Sequence, residues 1–211
     1  MKHNLIKYYE TTFEFEENRP KYYPIEFQTS LNYILNKTSK GDIVTDVASG
    51  TGHYAASLAK HERFVFINDI CSKMVRRSVS RIENKKYLIG ASEFDVKEND
   101  AWKTWPKSNA ILLLGPLCHI PEKKQRVEIL SNSKDLLISK SGNLKKPHWL
   151  FVSYLSFCGG ILYAAEQFPS GLLTNPNKVV LDRGNDLSWL GPPSPDNDIP
   201  WFFALPSDIE Q

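Results

Sequence analysis

Five short apolar runs alternate with amphipathic stretches between residues 42 and 156, and this alternation constrains the fold more than any other feature. The runs are DIVTDV, FVFIND, KYLIGA, AILLLG and HWLFVSYLS. The stretches between them have helical spacing. Strands that are apolar along their whole length are typical of a parallel sheet buried on both faces. The pattern predicts an α/β protein with a doubly wound, mostly parallel sheet, whose right-handed crossovers bring every strand-to-helix turn to one edge.

The beginning of the chain precedes this alternation. Residues 5–9 predict one short amphipathic helix, and a second helix is predicted to begin after Pro24 and to end near residue 37. We therefore expect residues 1–40 to form a helical cap on the sheet.

The alternation stops near residue 157. A helix is predicted over residues 159–168, followed by a long segment rich in Pro, Asn and Asp that carries Trp189, Trp201, Phe202 and Phe203. Its aromatic residues favour either a lid over a pocket or a satellite core, because disordered segments are poor in aromatics. We predict one domain in three parts, namely the cap over 1–40, a ligand-binding core over 41–157 and a lid or substrate segment over 158–211.

Composition narrows the class of protein. A formal net charge of +2 over 211 residues gives no basis for nucleic acid as the main partner. Basic runs such as MVRRS and EKKQR are interpreted as solvated helix faces. Cys71, Cys118 and Cys158 are scattered and form no CxxC motif, so neither a disulfide framework nor a metal site is expected. The first residues lack a signal-peptide pattern, and no segment approaches the ~20 apolar residues of a membrane span. We expect a cytoplasmic protein without a membrane partner.

The turn after the first apolar run reads DVASGTG and carries the first candidate site residues. Gly50 and Gly52 would allow a positive φ or a close approach of a ligand, although a plain tight turn would need them equally. A pyrophosphate site would have a third glycine, and here His53 follows Gly52 instead. Asp46 would repel a phosphate and attract an ammonium group.

A second acid, Asp69, ends the next apolar run. In this fold class an acid at that position can accept hydrogen bonds from the two hydroxyls of a ribose. Asp69 could equally cap the following helix, for which Ser72 is also a predicted N-cap. A ligand with an amino-acid end, a ribose and no phosphate is S-adenosylmethionine.

With these residues the sequence resembles the class I S-adenosylmethionine-dependent methyltransferases. DVASGTG is similar to the family's first motif, except that Ala48 replaces a glycine, and INDICSKMV resembles its second. AILLLGPLCHIPEKKQRVEIL resembles the family's fourth strand and the turn and helix after it, and HWLFVSYLS its fifth strand. The segments YYE, EENRP and IEFQTS resemble the cap of members that act on small molecules. The resemblance implies a Rossmann-like fold.

The resemblance also implies roles for individual residues. The methionine part of the cofactor would be surrounded by Asp46, Ala48, Ser49, Gly50 and Gly52. The ribose would lie at Asp69 and the adenine beside Ile70, with Ala91, Ser92 or Asp95 near the adenine amine. The sulfonium would lie over Leu114 and Gly115, and the pocket would be closed by Tyr8, Tyr9 and Arg19. The product of transfer would be S-adenosylhomocysteine.

His119 is the candidate catalytic base, with a cap tyrosine as the second choice. A structural hydrogen bond would explain His119 as well, and packing would explain Tyr8 and Tyr9. Cys118 is interpreted as a pocket or core residue. The turn GPLCH matches neither the N/D-P-P-Y/F turn of base-amine methylases nor the Pro-Cys of cytosine methylases, which favours a small-molecule acceptor. A cofactor-binding but catalytically silent protein is the alternative function.

The end of the chain departs from the family. IPWFFALPSDIEQ resembles the beginning of the family's last helix, so no sequence remains for the strands that normally follow it. We expect a sheet that lacks those last strands, with HWLFVSYLS as an apolar edge. The segment around Val179–Leu181, or a second copy of the chain in a homo-oligomer, is expected to cover that edge.

Overall fold

A computed structural model describes residues 2–137, 147–156, 159, 188–190 and 200–204 of the chain. The statements that follow concern these residues.

The centre of the molecule is a parallel sheet of five strands. The strands are β1 (Ile43–Val47), β2 (Phe64–Asp69), β3 (Leu88–Glu93), β4 (Ala110–Leu114) and β5 (Trp149–Ser153). Their order across the sheet is β3-β2-β1-β4-β5, and every neighbouring pair is parallel. The order reverses beside β1, which is the point where open sheets of this kind bind ligands. The predicted doubly wound α/β fold is confirmed.

Helices cover both faces of the sheet. They are α1 (Lys2–Thr11), α2 (Phe13–Tyr22), α3 (Pro24–Lys37), α4 (His53–Lys60), α5 (Ser72–Arg81), α6 (Asn99–Trp102) and α7 (Lys123–Leu136). Two 3-10 turns lie at Lys85–Tyr87 and Pro116–His119. Three helices, rather than the two predicted, precede β1, because residues 13–22 form a helix in spite of Pro20. Among the residues described, no helix combines the length and apolarity that crossing a membrane requires.

Two hydrophobic clusters, one on each face, explain why the strands are apolar throughout. One cluster packs Ile34 of α3 and Leu58 of α4 against Val44 and Ile67 of the sheet. The other packs Trp102 and Ile129 against Leu113 and its neighbours. Burying apolar surface on both faces stabilises the sheet by about 25 cal/mol per Å² and fixes the positions of its strand ends.

The third strand begins later than the sequence predicts. The apolar run KYLIGA suggested a strand over residues 86–91, but residues 85–87 form a 3-10 turn and β3 ends at Glu93. Burial alternates along β3, because it is an edge strand with one face toward solvent. The apolar run alone therefore could not fix its bounds.

Three further strands form a small separate sheet. They are β6 (Leu155–Ser156), β7 (Ser188–Leu190) and β8 (Pro200–Ala204), in the order β6-β8-β7. The expectation that residues 199–211 begin a helix is wrong for Pro200–Ala204. This aromatic run pairs parallel with β6 and antiparallel with β7, and its proline stands at the first strand position, where it is tolerated.

The predictions for the rest of the C-terminal part stay open. The helix over 159–168 and the segment Val179–Leu181 lie outside the described residues, apart from residue 159. Within the described residues, β5 is the outer strand of the five-stranded sheet. Its cover by a second copy of the chain therefore remains a prediction.

Candidate functional site

The carboxyl ends of β1, β2 and β4 bring the predicted site residues to one edge of the sheet. Asp46 pairs in register with Ile67 of β2 and with Leu112 of β4. Asp69 and Leu114 are the last residues of their strands. The glycine turn after β1 thus lies between the end of β2 and the end of β4.

Asp46 is a buried acid with unused hydrogen-bonding capacity. Its side chain is 3% exposed, and its Oδ2 has no hydrogen-bond partner among the described residues. Burial raises the pKa of Asp46 to about 7, the backbone amide of Ala55 lowers it, and the charge of Asp69 raises it further. A buried acceptor without a partner is costly unless a ligand supplies the missing donor.

The glycine turn opens toward free space at Gly50. Ala48, Gly50 and Gly52 have φ values of 55°, 55° and 81°. A Cβ built on Gly50 would meet no atom within 4 Å in the part of the chain that the structure describes, so these residues leave the backbone there open to a ligand. Ser49 Oγ is buried and has no partner among the described residues. Ala48 adopts the left-handed conformation despite its Cβ, at a cost of about 1–2 kcal/mol.

Gly52 has a different explanation. A Cβ at this position would lie 2.2 Å from Ser78 Oγ and 2.6 Å from Ser78 Cα. The contact is with the backbone of α5 as well as with its side chain, so α4 and α5 can pack at this distance only with glycine here. Packing therefore accounts for Gly52 without a ligand.

Replacing Gly52 with alanine is expected to destabilise the fold by more than the same change at Gly41. Both glycines have φ 81°, but a Cβ on Gly41 meets none of the described residues within 4 Å. Gly41→Ala should therefore lower the free energy of unfolding by only the about 1–2 kcal/mol that a left-handed backbone costs a residue with a Cβ. Gly52→Ala should lower it by a further about 1–3 kcal/mol, because the Cβ overpacks against Ser78. Urea denaturation of both variants measures the difference, and equal losses would contradict the packing explanation.

Asp69 joins the glycine turn to the start of α5. Its Oδ2 accepts the backbone N–H of Gly50 at 2.9 Å, and its Oδ1 accepts that of Cys71 at 2.9 Å. The prediction that Ser72 caps this helix is wrong, because Ser72 is the first helical residue and Asp69 accepts the orphan amide before it. A carboxylate offers about four acceptor sites, so Asp69 can still accept a ligand hydroxyl. Burial raises the pKa of Asp69 to about 6.

After β4 comes a second glycine with a positive φ and no described atom near its Cβ position. Gly115 has φ 131°, and a Cβ there would meet no atom of the described residues within 4 Å. Cys118 donates its thiol hydrogen to the Gly115 carbonyl at 2.9 Å, and burial raises the pKa of Cys118 to about 12. Cys118 therefore stays a thiol at neutral pH and lacks the character of a nucleophile.

Tyr9 and His119 meet at the site although they are 110 residues apart in sequence. Tyr9 Oη and His119 Nε2 are 2.6 Å apart, and the Tyr9 ring stands edge-on to both Tyr8 and His119. His119 is buried in the 3-10 turn after β4. Burial raises the pKa of Tyr9 well above its usual value, so its hydroxyl stays protonated at neutral pH.

Helix α2 adds an ion pair that includes an acid the sequence did not single out. Arg19 lies 3.8 Å from Glu16 and 3.5 Å from Glu26, and its guanidinium lies over the ring of Tyr23. Burial raises the pKa of Glu16, whose charge in turn raises the pKa of Asp69. The signal for Glu16 was its place one helical turn before Arg19.

The residues predicted near adenine already have partners in the protein. Ser92 Oγ accepts a hydrogen bond from Asn68 Nδ2 at 3.2 Å. Asp95 is buried, accepts the Lys97 amide at 3.0 Å and lies 3.7 Å from the Lys97 ammonium. Ile70 is partly buried and Ala91 is exposed. Of these residues, Ile70 lies directly after Asp69, beside the glycine turn.

Solved structures share this architecture. DhpI in its complex with SAM and HEP matches with a TM-score of 0.65 at 14% identity over 98% of this chain and 84% of DhpI. Magnesium protoporphyrin IX methyltransferase (ChlM) from Synechocystis PCC 6803 with bound SAH matches with a TM-score of 0.59 at 17% identity, over 82% of this chain and 80% of ChlM. A SAM-dependent methyltransferase from Methanosarcina mazei matches with a TM-score of 0.58 at 12% identity, over 84% of this chain and 79% of that protein.

Other matches are shorter. The chain spans 62% of the N-methyltransferase NodS from Bradyrhizobium japonicum WM9 and 64% of DhpI in its complex with SAH. No family model matches the sequence, and no curated protein matches it. At these identities the likeness establishes the fold, which is the Rossmann-like fold of class I methyltransferases, as predicted.

Proposed function

We propose that this chain is an S-adenosylmethionine-dependent methyltransferase that transfers a methyl group to a small-molecule acceptor. The observation that carries the proposal is the buried Asp46 Oδ2, which has no hydrogen-bond partner among the described residues and lies at the glycine turn of a methyltransferase fold. An ammonium group would supply the missing donor. A phosphate group would be repelled by the same carboxylate.

The residues at the sheet edge fit this cofactor. Asp46 and Ser49 Oγ offer buried acceptors to the amino-acid end, and Asp69 offers its remaining acceptor sites to the ribose. The residues that the structure describes leave room for the ligand beside Gly50 and Gly115. We assign the remaining predicted contacts to Tyr8, Arg19, Ala48, Ile70, Ser92 and Leu114, with Ser92 sharing its Oγ with Asn68. Gly52 is left out, because packing against Ser78 accounts for it.

When bound, S-adenosylmethionine supplies a methyl group on a sulfonium that is already activated for transfer. The chain's own residues then have to exclude water, orient the acceptor and remove its proton where the acceptor is protonated. We assign the removal of the acceptor's proton to Tyr9 and His119. Tyr9 Oη would take the acceptor's proton while its own proton passes along the 2.6 Å hydrogen bond to His119 Nε2. His119 is thus the final base, and Tyr9 is the residue that contacts the acceptor.

A small-molecule acceptor fits the enclosed character of this site. His119 and Cys118 are buried, and α1 covers them through Tyr9. The net charge of +2 provides no broad basic surface for a nucleic acid. Whether the acceptor atom is oxygen or nitrogen is decided by assay. We further propose a reduced, cytoplasmic location, with which the free thiols of Cys71 and Cys118 agree.

Isothermal titration of the full chain with S-adenosylmethionine and with S-adenosylhomocysteine tests the proposal. Both ligands should bind at one site, and folded protein that binds neither would overturn it. A screen of radiolabelled methyl transfer to hydroxyl- and amine-bearing small molecules then identifies the acceptor.

Asp69→Ala is expected to weaken cofactor binding by about 1–3 kcal/mol, because the ribose hydroxyls lose a charged acceptor. The same change also frees the amides of Gly50 and Cys71, so the variant Asp69→Asn, which keeps an acceptor for one of them, serves as the control for folding. Titration with S-adenosylhomocysteine measures the loss. An unchanged affinity in Asp69→Ala would show that the ribose lies elsewhere.

A further inference from the structure

One face of α5 carries three cations that contact α1 and α2. Lys73, Arg77 and Arg81 are spaced four residues apart, so they lie along one side of the helix. Lys73 Nζ lies 3.4 Å from the Glu10 carbonyl and 4.1 Å from the centre of the Phe13 ring. The interpretation of the run MVRRS as a solvated helix face holds for the exposed Arg76 but is wrong for Arg77, which contacts Glu17 of α2 as Arg81 does.

Glu17 of α2 receives both arginines. Arg77 donates from Nε to Glu17 Oε2 at 2.9 Å and from Nη2 to Oε1 at 2.5 Å, and Arg81 Nη2 lies 2.6 Å from the same Oε1. The Arg77 hydrogen bond lowers the pKa of Glu17 to about 2, so the carboxylate is ionised at any physiological pH. We call Glu17, Arg77 and Arg81 the clasp.

The clasp is continuous with the glycine turn through backbone carbonyls. Pro20 has no N–H, so the Glu16 carbonyl four residues before it lacks its helical donor. That carbonyl accepts the Thr51 hydroxyl at 3.2 Å, and His53 Nε2 donates to the Glu17 carbonyl at 3.0 Å. Arg81 Nε donates in return to the Thr51 carbonyl at 2.8 Å.

The same two helices carry residues of the proposed site. Tyr9 stands on α1, and Glu16 and Arg19 lie on α2 on either side of Glu17. We infer that Glu17 is a positioning residue, whose clasp with Arg77 and Arg81 fixes α1 and α2 on the glycine turn and so holds Tyr9 and Arg19 over the site. The effect of the clasp on ligand binding rests on the proposed function, whereas its effect on α1 and α2 does not.

Loosening the clasp has a local consequence. α1 and α2 bury no residue completely, so their attachment depends on polar contacts more than the attachment of α4 or α5 does. Without Glu17, α1 and α2 should open more often while the sheet stays intact. A ligand held beneath Tyr9 should then leave faster.

Glu17→Gln tests this inference, with Glu14→Gln as the matched control, because Glu14 is an exposed acid on the same helix. Hydrogen exchange of the ligand-free chain should be about tenfold faster or more at the helical amides of residues 2–22 in Glu17→Gln and unchanged in the strands of the sheet. S-adenosylhomocysteine should dissociate faster from the same variant by about tenfold. Arg77→Gln should reproduce both effects, and it replaces Glu17→Gln if that variant does not fold.

Equal exchange of residues 2–22 in Glu17→Gln and Glu14→Gln would overturn the inference. Faster exchange throughout the sheet would also overturn it, because Glu17 would then contribute only to global stability. If the wild-type chain binds no S-adenosylhomocysteine, the proposed function fails, and the exchange comparison alone decides whether the clasp holds the helices.

Discussion

Replacing His119 with asparagine is expected to lower the rate constant of methyl transfer by about 10²–10⁴-fold with an acceptor that must lose a proton. In the proposed mechanism the reason is the 2.6 Å contact between His119 Nε2 and Tyr9 Oη, through which His119 would act as a buried base for a hydroxyl whose raised pKa keeps it from acting alone. The affinity for S-adenosylhomocysteine should change by less than about threefold, since the proton is removed from the acceptor and not from the cofactor. Single-turnover transfer and titration calorimetry measure the two quantities.

The double variant distinguishes proton transfer from packing. Tyr9→Phe and His119→Asn should each remove the same proton path, so the two together should reduce the rate little more than either one alone. Tyr33→Phe is the control, because Tyr33 is an exposed tyrosine on α3 whose ring contacts Phe151 of β5. Rate losses that multiply in the double variant, or a full rate in His119→Asn, would contradict the assignment of His119 as the base.

The fold and the sheet edge of the site could be predicted from the sequence because their signals are local. Each buried strand is a continuous apolar run, and Asp46 and Asp69 stand at or near the end of such a run. The rules for parallel sheets then bring these ends together without knowledge of any particular contact. The edge strand β3 was placed less well, since its alternating burial weakens the apolar signal.

The contacts that organise the site could not be predicted, because they join residues far apart in sequence. Glu17 and Arg77 are 60 residues apart, and the local sequence pattern around either residue does not predict a contact with the other. From the sequence, Gly52 could serve the close approach of a ligand. In the structure, the backbone of Ser78 lies so close that a Cβ on Gly52 would clash with it. The sequence predicted no helix between residues 9 and 24, but α2 continues through Pro20, and the freed Glu16 carbonyl accepts the Thr51 hydroxyl.

The stability of the ligand-free chain is expected to fall as the pH rises from 4 to 7, while its affinity for S-adenosylmethionine rises. Burial raises the pKa of Asp46 from 3.8 to about 7 and that of Asp69 from 3.8 to about 6. Between the unfolded and the folded pKa of each group, the folded chain holds a proton that the unfolded chain has lost. In that range the free energy of unfolding falls by about 1.4 kcal/mol per pH unit and per group. Deprotonated Asp46 is the form that attracts an ammonium group, so binding improves over the same range.

Asp46→Asn isolates this effect. The amide keeps the shape of the side chain but does not titrate, so the free energy of unfolding of this variant should lose the part of the pH dependence that Asp46 contributes, up to about 4 kcal/mol between pH 4 and pH 7. Its affinity for S-adenosylmethionine should be low and should depend little on pH. Urea denaturation and calorimetry from pH 4 to pH 8 measure both quantities. Parallel pH profiles for the wild type and Asp46→Asn would mean that Asp46 has the same pKa in the folded and the unfolded chain. Its carboxylate would then be stabilised by the protein or by water without a ligand, and Oδ2 would no longer be an argument for a cationic ligand.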